Sequence, residues 1–280
     1  MMTAPFFNYH THTKYCDGTS YPYEYVEQAI QKKFKYLGFS AHAPLNIKYD
    51  WTITKEKIKI YCNDINSIKN NNKLQILLGL EADYAPYISY DFNFLKNIYN
   101  LDYIIGSVHL VLAPDKQNYW FIDSNEKNFI EGLSILFKND IKKAVTTFYE
   151  QTSEMIINEK PDIIGHLDKI IMNNKERFFK TDEKWYRQLV MQTLDVIKPD
   201  GPIVELNVRG LYKKRINSSF PEIWIVKECK KRNIKMTVSS DAHMPSEIST
   251  LLAEGINILK YCGYDKIYYL TKLGIKETNI

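Results

Sequence analysis

The sequence predicts an α/β fold in which a mostly parallel β-sheet closes into a barrel. Short apolar runs alternate with longer amphipathic segments about seven times, the pattern of repeated strand–helix units. A histidine or a carboxylate follows nearly every apolar run. An open doubly wound sheet also fits the alternation, but only a closed ring of strands brings so many strand ends to one pocket. The barrel is therefore the favoured interpretation.

The apolar runs define the predicted strands, which end at His10–His12, Phe39–Ser40, Leu80–Glu81, Val108–His109, Ile164–His166, Leu206–Asn207 and Val238–Ser240. Between them, apolar residues recur at the i, i+3, i+4 spacing of one helix face. The predicted helices are Pro22–Phe34, Lys55–Ile68, Ile141–Ile157, Trp185–Ile197, Pro221–Arg232 and Ser246–Tyr261. Leu112–Asn125 and Val208–Phe220 are predicted to be the longest irregular loops near the pocket.

Length and composition indicate one globular domain over residues 1–280, since 45% hydrophobic and 25% charged residues are ordinary values and barrels of this length form single domains. The net charge of +4 is too small for a typical nucleic-acid-binding protein. No segment reads as a signal peptide or a membrane helix. The four cysteines form no CxxC pair, so reduced thiols in a cytoplasmic protein are expected. Neither a nucleic acid nor a membrane is expected as a partner, and the oligomeric state stays open.

All six histidines of the chain lie where predicted strands end: His10, His12, His42, His109, His166 and His243. Three carboxylates lie among them: Asp17, Glu81 and Asp241. Imidazoles and carboxylates are the ligands of catalytic transition-metal sites, and such sites at neutral pH most often carry out hydrolysis. The nine residues therefore predict a polynuclear metal site at one mouth of the barrel.

The local spacing supports this prediction. Residues i and i+2 of an extended strand point to the same side, so His10 and His12 can hold one ion together, and Asp241 and His243 repeat the spacing. Glu81 ends a very apolar run, where a carboxylate is costly to bury unless it is paired or bound to a cation. Each residue alone has an ordinary structural explanation, such as a turn or a salt bridge, and the metal site is predicted from the set.

Substrate contacts are predicted in the loops that follow the strands. Arg209 follows the run VELN, and its planar guanidinium suits phosphate oxygens. Lys214 and Arg215 follow in the same loop, for which a solvated basic loop is the alternative. Asp123, Trp120 and Tyr119 are candidates for contacting the organic part of a substrate. A surface hairpin explains that segment almost as well.

The motifs HTHTKYCDG, FSAHAP, GLEADY, DYIIGSVH, IIGHLD, VELNVRG and SSDAH resemble, in this order, those of the PHP (polymerase and histidinol phosphatase) superfamily. The resemblance covers nearly the whole chain, from His10 to His243. Within the superfamily the sequence is most similar to the histidinol-phosphate phosphatases, through CDG after HTH, IGSVH, YWFID, and ELNVRG followed by YKKR. The resemblance implies a distorted (β/α)7 barrel, up to three Zn, Fe or Mn ions, and hydrolysis of the small-molecule ester histidinol phosphate in histidine biosynthesis.

The resemblance also implies roles for single residues. His10, His12, Glu81 and Asp241 would hold the first ion, Glu81 would bridge to a second ion held by His109 and His166, and Asp17, His42 and His243 would hold the third. Many members have a histidine in place of Asp17. An oxygen ligand at this position gives the third site a harder set of ligands, which changes the metal ions that it prefers. For catalysis, Glu81 and Asp241 are expected beside the attacking water. The leaving alkoxide would take its proton from His243, from Asp241 or from a bound water.

Two other functions fit the sequence. A PHP-type phosphoesterase or exonuclease acting on nucleic acid, or on another phosphate ester, needs a wide basic groove along a backbone, and the basic residues form no continuous stripe. A metal-binding regulatory or storage module needs a closed coordination shell without an open position for water or substrate. Turnover of histidinol phosphate, single-stranded DNA and an aryl phosphate separates the three functions.

Overall fold

The structure, a computed structural model, describes residues 7–69 and 73–280. The first six residues belong to the segment in which no signal peptide is expected, and they lie outside the described part. In chain order the elements are β1 (Phe7–Asn8), α1 (Pro22–Gln31), β2 (Tyr36–His42), α2 (Lys57–Ile68), β3 (Gln75–Asp83), α3 (Phe92–Tyr99), β4 (Tyr103–Ser107), β5 (Leu110–Leu112), β6 (Tyr119–Phe121), α4 (Glu126–Phe137), α5 (Ile141–Glu154), β7 (Ile163–Ile164), α6 (Lys184–Asp195), β8 (Ile203–Asn207), α7 (Arg209–Tyr212), α8 (Ile223–Lys231), β9 (Met236–Ser239), α9 (Leu252–Tyr261), β10 (Lys266–Thr271) and β11 (Gly274–Asn279).

Seven strands form one parallel sheet in the order β1-β2-β3-β4-β7-β8-β9. Its two edges meet just beyond β1 and β9, where Thr11 forms a parallel bridge with Ala242. There the amide of His12 donates to the carbonyl of Ala242 (2.8 Å), and the amide of Ala242 donates to the carbonyl of His10 (3.0 Å). The sheet is therefore a nearly closed barrel, which confirms the predicted α/β barrel of the PHP type and excludes the open sheet.

The segment Leu112–Asn125, predicted to be irregular, contains most of an antiparallel hairpin formed by β5 and β6. Its turn is stabilised by Asp115, whose carboxylate accepts hydrogen bonds from the amides of Gln117 and Asn118. The predicted loop Val208–Phe220 begins with the short helix α7. The helices α3 and α4 and the hairpin β10–β11 were not predicted either. For α3 and the two strands the reason is their length, because short elements carry few periodic apolar positions; α4, however, is as long as the predicted helices α2 and α6.

Tyr103 fills the interior of the barrel from β4. It is fully buried, and its hydroxyl lies 2.5 Å from the carbonyl oxygen of Tyr9 and 3.0 Å from that of Phe39. The ring has room only because two glycines lie against it: a Cβ at Gly79 would come within 2.5 Å of a ring carbon, and Gly38 is equally close. Tyr103 thus connects three strands across the barrel below the site.

The hairpin β10–β11 packs against the amino ends of the first barrel strands. Tyr269 stacks on Phe7 with ring centroids 5.5 Å apart, and the hydroxyl of Tyr9 donates to the carbonyl of Leu270 (2.6 Å). This packing leaves the carboxyl ends of the strands open. In the described part of the chain, no helix is both long and apolar enough to cross a membrane.

Replacing Tyr103 by Phe is expected to lower the free energy of unfolding by about 1–3 kcal/mol, because buried carbonyl oxygens lose a hydrogen-bond donor that water cannot replace. Urea titration followed by circular dichroism measures the change. The matched control is Tyr23→Phe, since that ring is 55% exposed and its substitution should cost little. Equal stability of the two variants would contradict the structural role of the hydroxyl.

Candidate metal centre

The nine predicted ligand residues meet at the carboxyl ends of the barrel strands. Their positions along the barrel are as follows: His10, His12 and Asp17 follow β1, His42 ends β2, Glu81 lies in β3, His109 follows β4, His166 follows β7, and Asp241 and His243 follow β9. Because parallel strands end at the same mouth, these separate segments converge there. All of them except the deeper His10 line a cavity of about 210 Å³.

Glu81 occupies the centre of this group, with 1% of its surface exposed. Its Oε2 lies near nitrogens of His10 (3.2 Å), His12 (3.4 Å) and His42 (3.1 Å), and its Oε1 near nitrogens of His166 (3.0 Å) and His109 (3.7 Å). The hydroxyl of Ser107 donates to Oε1 (2.7 Å) and holds the carboxylate in place. The two oxygens therefore face two different sets of imidazoles, which is the geometry that a bridging carboxylate needs.

The donor atoms of the cluster fall into overlapping groups whose members lie within 4.8 Å of one another: His12, Asp17, His42 and His243; His10, His166 and Asp241; His10, His12 and Glu81; His42, Glu81 and His109. The first group contains the whole set assigned to the third ion. Asp17 lies in an exposed turn, but its carboxylate faces the imidazoles, with Oδ2 3.1 Å from Nε2 of His243. The other groups share Glu81 or His10.

The cluster fits divalent cations, because several of its buried polar atoms lack partners. In the described part of the chain, His10 Nε2, His12 Nε2, His42 Nδ1, His109 Nδ1 and Asp241 Oδ1 accept or donate no hydrogen bond. Such atoms are rare in folded proteins and usually mark a ligand or an ion. The Nε2 atoms of His109 and His166 are 3.2 Å apart, a separation that requires a shared proton or cation. The mixed nitrogen and oxygen donors suit Zn, Fe or Mn in a centre of several ions.

Burial and charge keep most of these donors in the state that binds cations. Burial lowers the pKa of His42 to about 3 and also lowers the pKa of His12 and His166, so these rings are neutral at pH 7. Burial acts to raise the pKa of Glu81 and Asp241, but the facing imidazoles hold both pKa values well below the ordinary range. Both carboxylates are therefore ionised.

His10 and His109 differ from the other rings. Burial acts to lower their pKa, but the carboxylates around them outweigh it: Glu205, Asp241 and Glu81 raise the pKa of His10 well above the ordinary value, and Glu81 and Asp83 raise that of His109 to about 9. Without a cation these two imidazoles therefore hold protons. Cation binding at this centre must displace protons, so it is coupled to pH.

Three predicted substrate contacts line the cavity: Arg209, Arg215 and Asp123. Lys214 does not. The structure places it on the wall of a neighbouring cavity, because the backbone turns into the left-handed region at this residue (φ 52°) and directs its side chain away. The aromatic residues before Asp123 also differ from the expectation. Trp120 is buried in the core, and Tyr119 bonds the carbonyl of Pro86 outside the cavity.

Other aromatic side chains form the cavity wall instead. Phe121 and Trp51 both line the cavity, and their rings are stacked with centroids 5.3 Å apart and an interplanar angle of 10°. The alternation of side chains along β6 explains why Phe121 and not Trp120 lines the cavity, since these two neighbours must point to opposite faces of the strand. Trp51 belongs to a loop between β2 and α2 for which the sequence carried no signal.

Two charged residues beside the cluster were not predicted. Lys169 lies three positions after His166 and is 3% exposed, and Glu205 lies inside β8 and is fully buried. The available signal was a charge within an apolar run, as in HLDKII and PIVELN, because a buried charge requires a partner. For Lys169 the partner is Asp123, whose Oδ2 is 3.1 Å away, while Asp123 Oδ1 accepts a hydrogen bond from Arg215 (3.2 Å).

Comparison with known proteins agrees with this geometry. The profile of the PHP domain family matches residues 8–209. The histidinol-phosphatase of Bacillus subtilis is 26% identical over 256 residues, covering 85% of this chain and 94% of that protein. A crystal structure from Listeria monocytogenes superposes with a TM-score of 0.76 at 22% identity and covers 89% of this chain and 99% of that one. Histidinol phosphate phosphatase of Lactococcus lactis, solved with Zn, L-histidinol and phosphate, has a TM-score of 0.67 at 16% identity and covers 96% and 98% of the two chains.

Removing divalent cations is expected to lower the midpoint of thermal unfolding, because cations bind the folded cluster and not the unfolded chain. A cation present at 100 times its Kd adds about 2.7 kcal/mol of stability, which corresponds to roughly 5–10 °C for a chain of this size. Calorimetry of protein dialysed against a chelator, and again after addition of Zn²⁺, measures the difference. The control is the same chelator already saturated with Zn²⁺. Identical melting curves in all samples would exclude a stabilising metal centre.

Proposed function

The chain belongs to the PHP domain family, and we propose that within this family it is a histidinol-phosphatase, a metal-dependent phosphomonoesterase that hydrolyses L-histidinol phosphate to L-histidinol and phosphate. The observation that carries the proposal is the composition of the cavity. Its floor holds eight of the nine candidate ligand residues, with the deeper His10 behind them, and its walls carry the cations Lys169, Arg209 and Arg215. A volume of about 210 Å³ suits a small phosphate ester better than a polynucleotide. The names of the relatives support the same substrate.

By the family pattern, His10, His12, Glu81 and Asp241 would hold the first ion, Glu81, His109 and His166 the second, and Asp17, His42 and His243 the third; the last three lie together with His12 in one group of donors. Cations bound there lower the pKa of a water molecule and neutralise charge on phosphate oxygens. The ionised carboxylates of Glu81 and Asp241 orient the attacking water and accept its hydrogen bonds. Because Asp241 is ionised and His243 is assigned to the third ion, a bound water molecule is the better candidate to protonate the leaving alkoxide.

Arg209 and Lys169 bind the phosphate from the cavity wall. The guanidinium of Arg209 is held in place through Nη1, which donates to the carbonyl of Asp241 (2.7 Å) and to the hydroxyl of Tyr212 (3.1 Å). Lys169 is held between Asp123 and the ring of Phe220, 5.4 Å from its ammonium nitrogen. Fixed cations of this kind stabilise the charge of a transferring phosphoryl group without reorganising.

Asp123 serves these cations and does not contact the amine of the substrate. Each of its oxygens already faces a cation, Lys169 or Arg215, so the three groups together carry a net positive charge. Burial acts to raise the pKa of Asp123, but Lys169, His109 and Arg215 lower it, and the carboxylate stays ionised. The organic part of the substrate then lies against the stacked rings of Trp51 and Phe121, the apolar side of the cavity.

The whole chain is one PHP-type barrel domain in this proposal, and it works in the cytoplasm. A single cluster of buried apolar residues extends from Phe7 to Leu270 and includes side chains of both barrel and hairpin, which supports one domain. All four cysteines are free thiols, as is usual for proteins of reducing compartments.

Turnover by the purified, Zn²⁺-loaded protein tests the proposed function. Histidinol phosphate, a generic aryl phosphate and single-stranded DNA are compared by phosphate release and by strand cleavage. The highest kcat/KM for histidinol phosphate supports the proposal. Cleavage of DNA alone would assign a nuclease, and no turnover of any substrate at full metal content would favour a metal-binding module.

The variant Glu81→Ala is expected to lose both metal and activity, because one bridging carboxylate contacts both sets of imidazoles. The loss of activity should exceed the roughly 10–100-fold cost of removing an outer-shell partner. Elemental analysis and the histidinol phosphate assay measure the two effects. The control is Glu126→Ala at an exposed pair with Lys175, which should leave both values unchanged. Full activity of the Glu81 variant would contradict the bridging role.

The variant Lys169→Met is expected to lower kcat/KM for histidinol phosphate by about 10–100-fold, since a hydrogen bond between charged groups contributes about 1.5–3 kcal/mol. Metal content should stay the same, because an ammonium group cannot be a ligand. The matched control is Lys175→Met, whose side chain is exposed and pairs with Glu126. A kcat/KM equal to that of the unmodified enzyme would remove Lys169 from the phosphate site.

A further inference from the structure

Two polar side chains on β8 lie beneath the metal cluster and have no role in the proposed reaction. Glu205 and Asn207 are two residues apart on the strand, so both point into the barrel, and both are fully buried. The intervening Leu206 is buried on the other face. A carboxylate in this position is costly unless the surrounding groups satisfy it.

Glu205 accepts hydrogen bonds from four surrounding groups. Its Oε2 accepts from His10 Nδ1 (2.8 Å) and from the hydroxyl of Ser239 (2.6 Å). Its Oε1 accepts from the backbone amide of His166 (2.8 Å) and from the side-chain amide of Asn207 (2.9 Å). These partners lie on four segments, so one carboxylate connects β8 with β9 and with the segments after β1 and β7.

This arrangement determines which nitrogen of His10 can bind a cation. An ionised carboxylate only accepts hydrogen bonds, so the facing Nδ1 of His10 must carry a proton. The opposite nitrogen, Nε2, lies 3.2 Å from Glu81 and 3.7 Å from Asp241 and has no hydrogen-bond partner among the described residues. His10 Nε2 therefore faces two other predicted ligands and is free to bind a cation.

Asn207 extends the same network to Asp241. Its side-chain nitrogen Nδ2 donates to Glu205 Oε1 (2.9 Å) and to Asp241 Oδ2 (3.1 Å). Its side-chain oxygen Oδ1 accepts from the backbone amide of Arg209 (2.9 Å). The remaining oxygen of Asp241, Oδ1, faces His12 and His243 at 3.4 Å each. The amide therefore orients Asp241 with one oxygen toward the cluster.

We infer that Glu205 and Asn207 are positioning residues that orient His10 and Asp241 for cation binding before any cation arrives. The pair lies beside the barrel seam, the junction at which the segments after β1 and β9 meet. The backbone closes this seam through the bridge between Thr11 and Ala242. Side-chain hydrogen bonds across this seam keep ligands from β1 and β9 in register. The inference rests on the metal centre of the proposed function and is independent of its substrate.

The first test is Zn²⁺ affinity of the metal-free full chain, measured by competition with a chromophoric chelator. Glu205→Gln keeps the shape but replaces one accepting oxygen by an amide group that donates, so the two groups that donate to that oxygen lose their acceptor. We expect the affinity of the tightest site to fall by about 10–100-fold. Asn207→Ala should lower it similarly, and the double variant should be less than additive because the two residues share one network.

A second readout separates positioning from simple destabilisation. Nitrogen-15 spectra of histidine-labelled, metal-free protein report the protonation of each ring nitrogen, and His10 is assigned by its loss in His10→Gln. At alkaline pH, where metal-free His10 has lost one of its two ring protons, the unmodified protein should keep the proton on Nδ1, and Glu205→Gln should shift His10 toward the form protonated at Nε2. The control Tyr149→Phe removes a buried hydroxyl bonded to Tyr186, so it should lower stability without changing Zn²⁺ affinity.

Either of two results overturns the inference: Zn²⁺ affinity of Glu205→Gln within about threefold of the unmodified protein, or an unchanged protonation pattern at His10. If Glu205→Gln does not fold, Asn207→Ala and Asn207→Ser are judged by the same affinity criterion. The two proposals can fail separately. If these variants lose Zn²⁺ affinity but the unmodified protein does not hydrolyse histidinol phosphate, the proposed function is wrong and this inference is still supported.

Discussion

A carboxylate buried among imidazoles is the constraint on which the rest of this structure depends. Glu81 ends a strand inside the barrel with almost no exposure to water, where the effective penalty for an ionised group is several kcal/mol. The surrounding rings offset part of that penalty, and cations between them offset the remainder. The unpartnered nitrogens of the cluster show that protein groups alone leave the site unsatisfied. Cation binding is therefore expected to stabilise the fold as well as to serve the chemistry.

Floor and walls of the cavity come from different kinds of structure. The floor is made of residues at strand ends, such as Glu81, whose positions are set by backbone pairing and by hydrogen bonds such as that from Ser107. The walls are made of residues from longer connections, with Lys169, Asp123 and Arg215 holding one another by ion pairs. Rigid strands hold ligands to the accuracy that metal coordination needs, and variable loops read the rest of the substrate.

Support for the ligands extends one layer below the cluster. Glu205 and Asn207 lie beneath the cluster and hold His10 and Asp241 through hydrogen bonds, and the one between His10 and Glu205 also spans the barrel seam. A buried polar network of this kind is stable only when nearly every member is satisfied, and then it imposes one geometry. The same hydrogen bonds therefore serve the closure of the barrel and the orientation of the metal ligands.

The sequence by itself determined the barrel and the membership of the metal cluster, because apolar periodicity marks strands and every histidine stands at a strand end. It could not determine which residues form the walls. Tyr119 and Trp120 were expected at the cavity, where Trp51 and Phe121 lie instead. Lys214 was expected to contact the substrate but lines a neighbouring cavity, and Lys169, which was not predicted, lines the site. Local patterns record the alternation along a strand, but the face that meets a cavity depends on how distant segments pack. Only the tertiary structure decided those contacts, since a side chain's partners across the barrel leave no periodic signal along the chain.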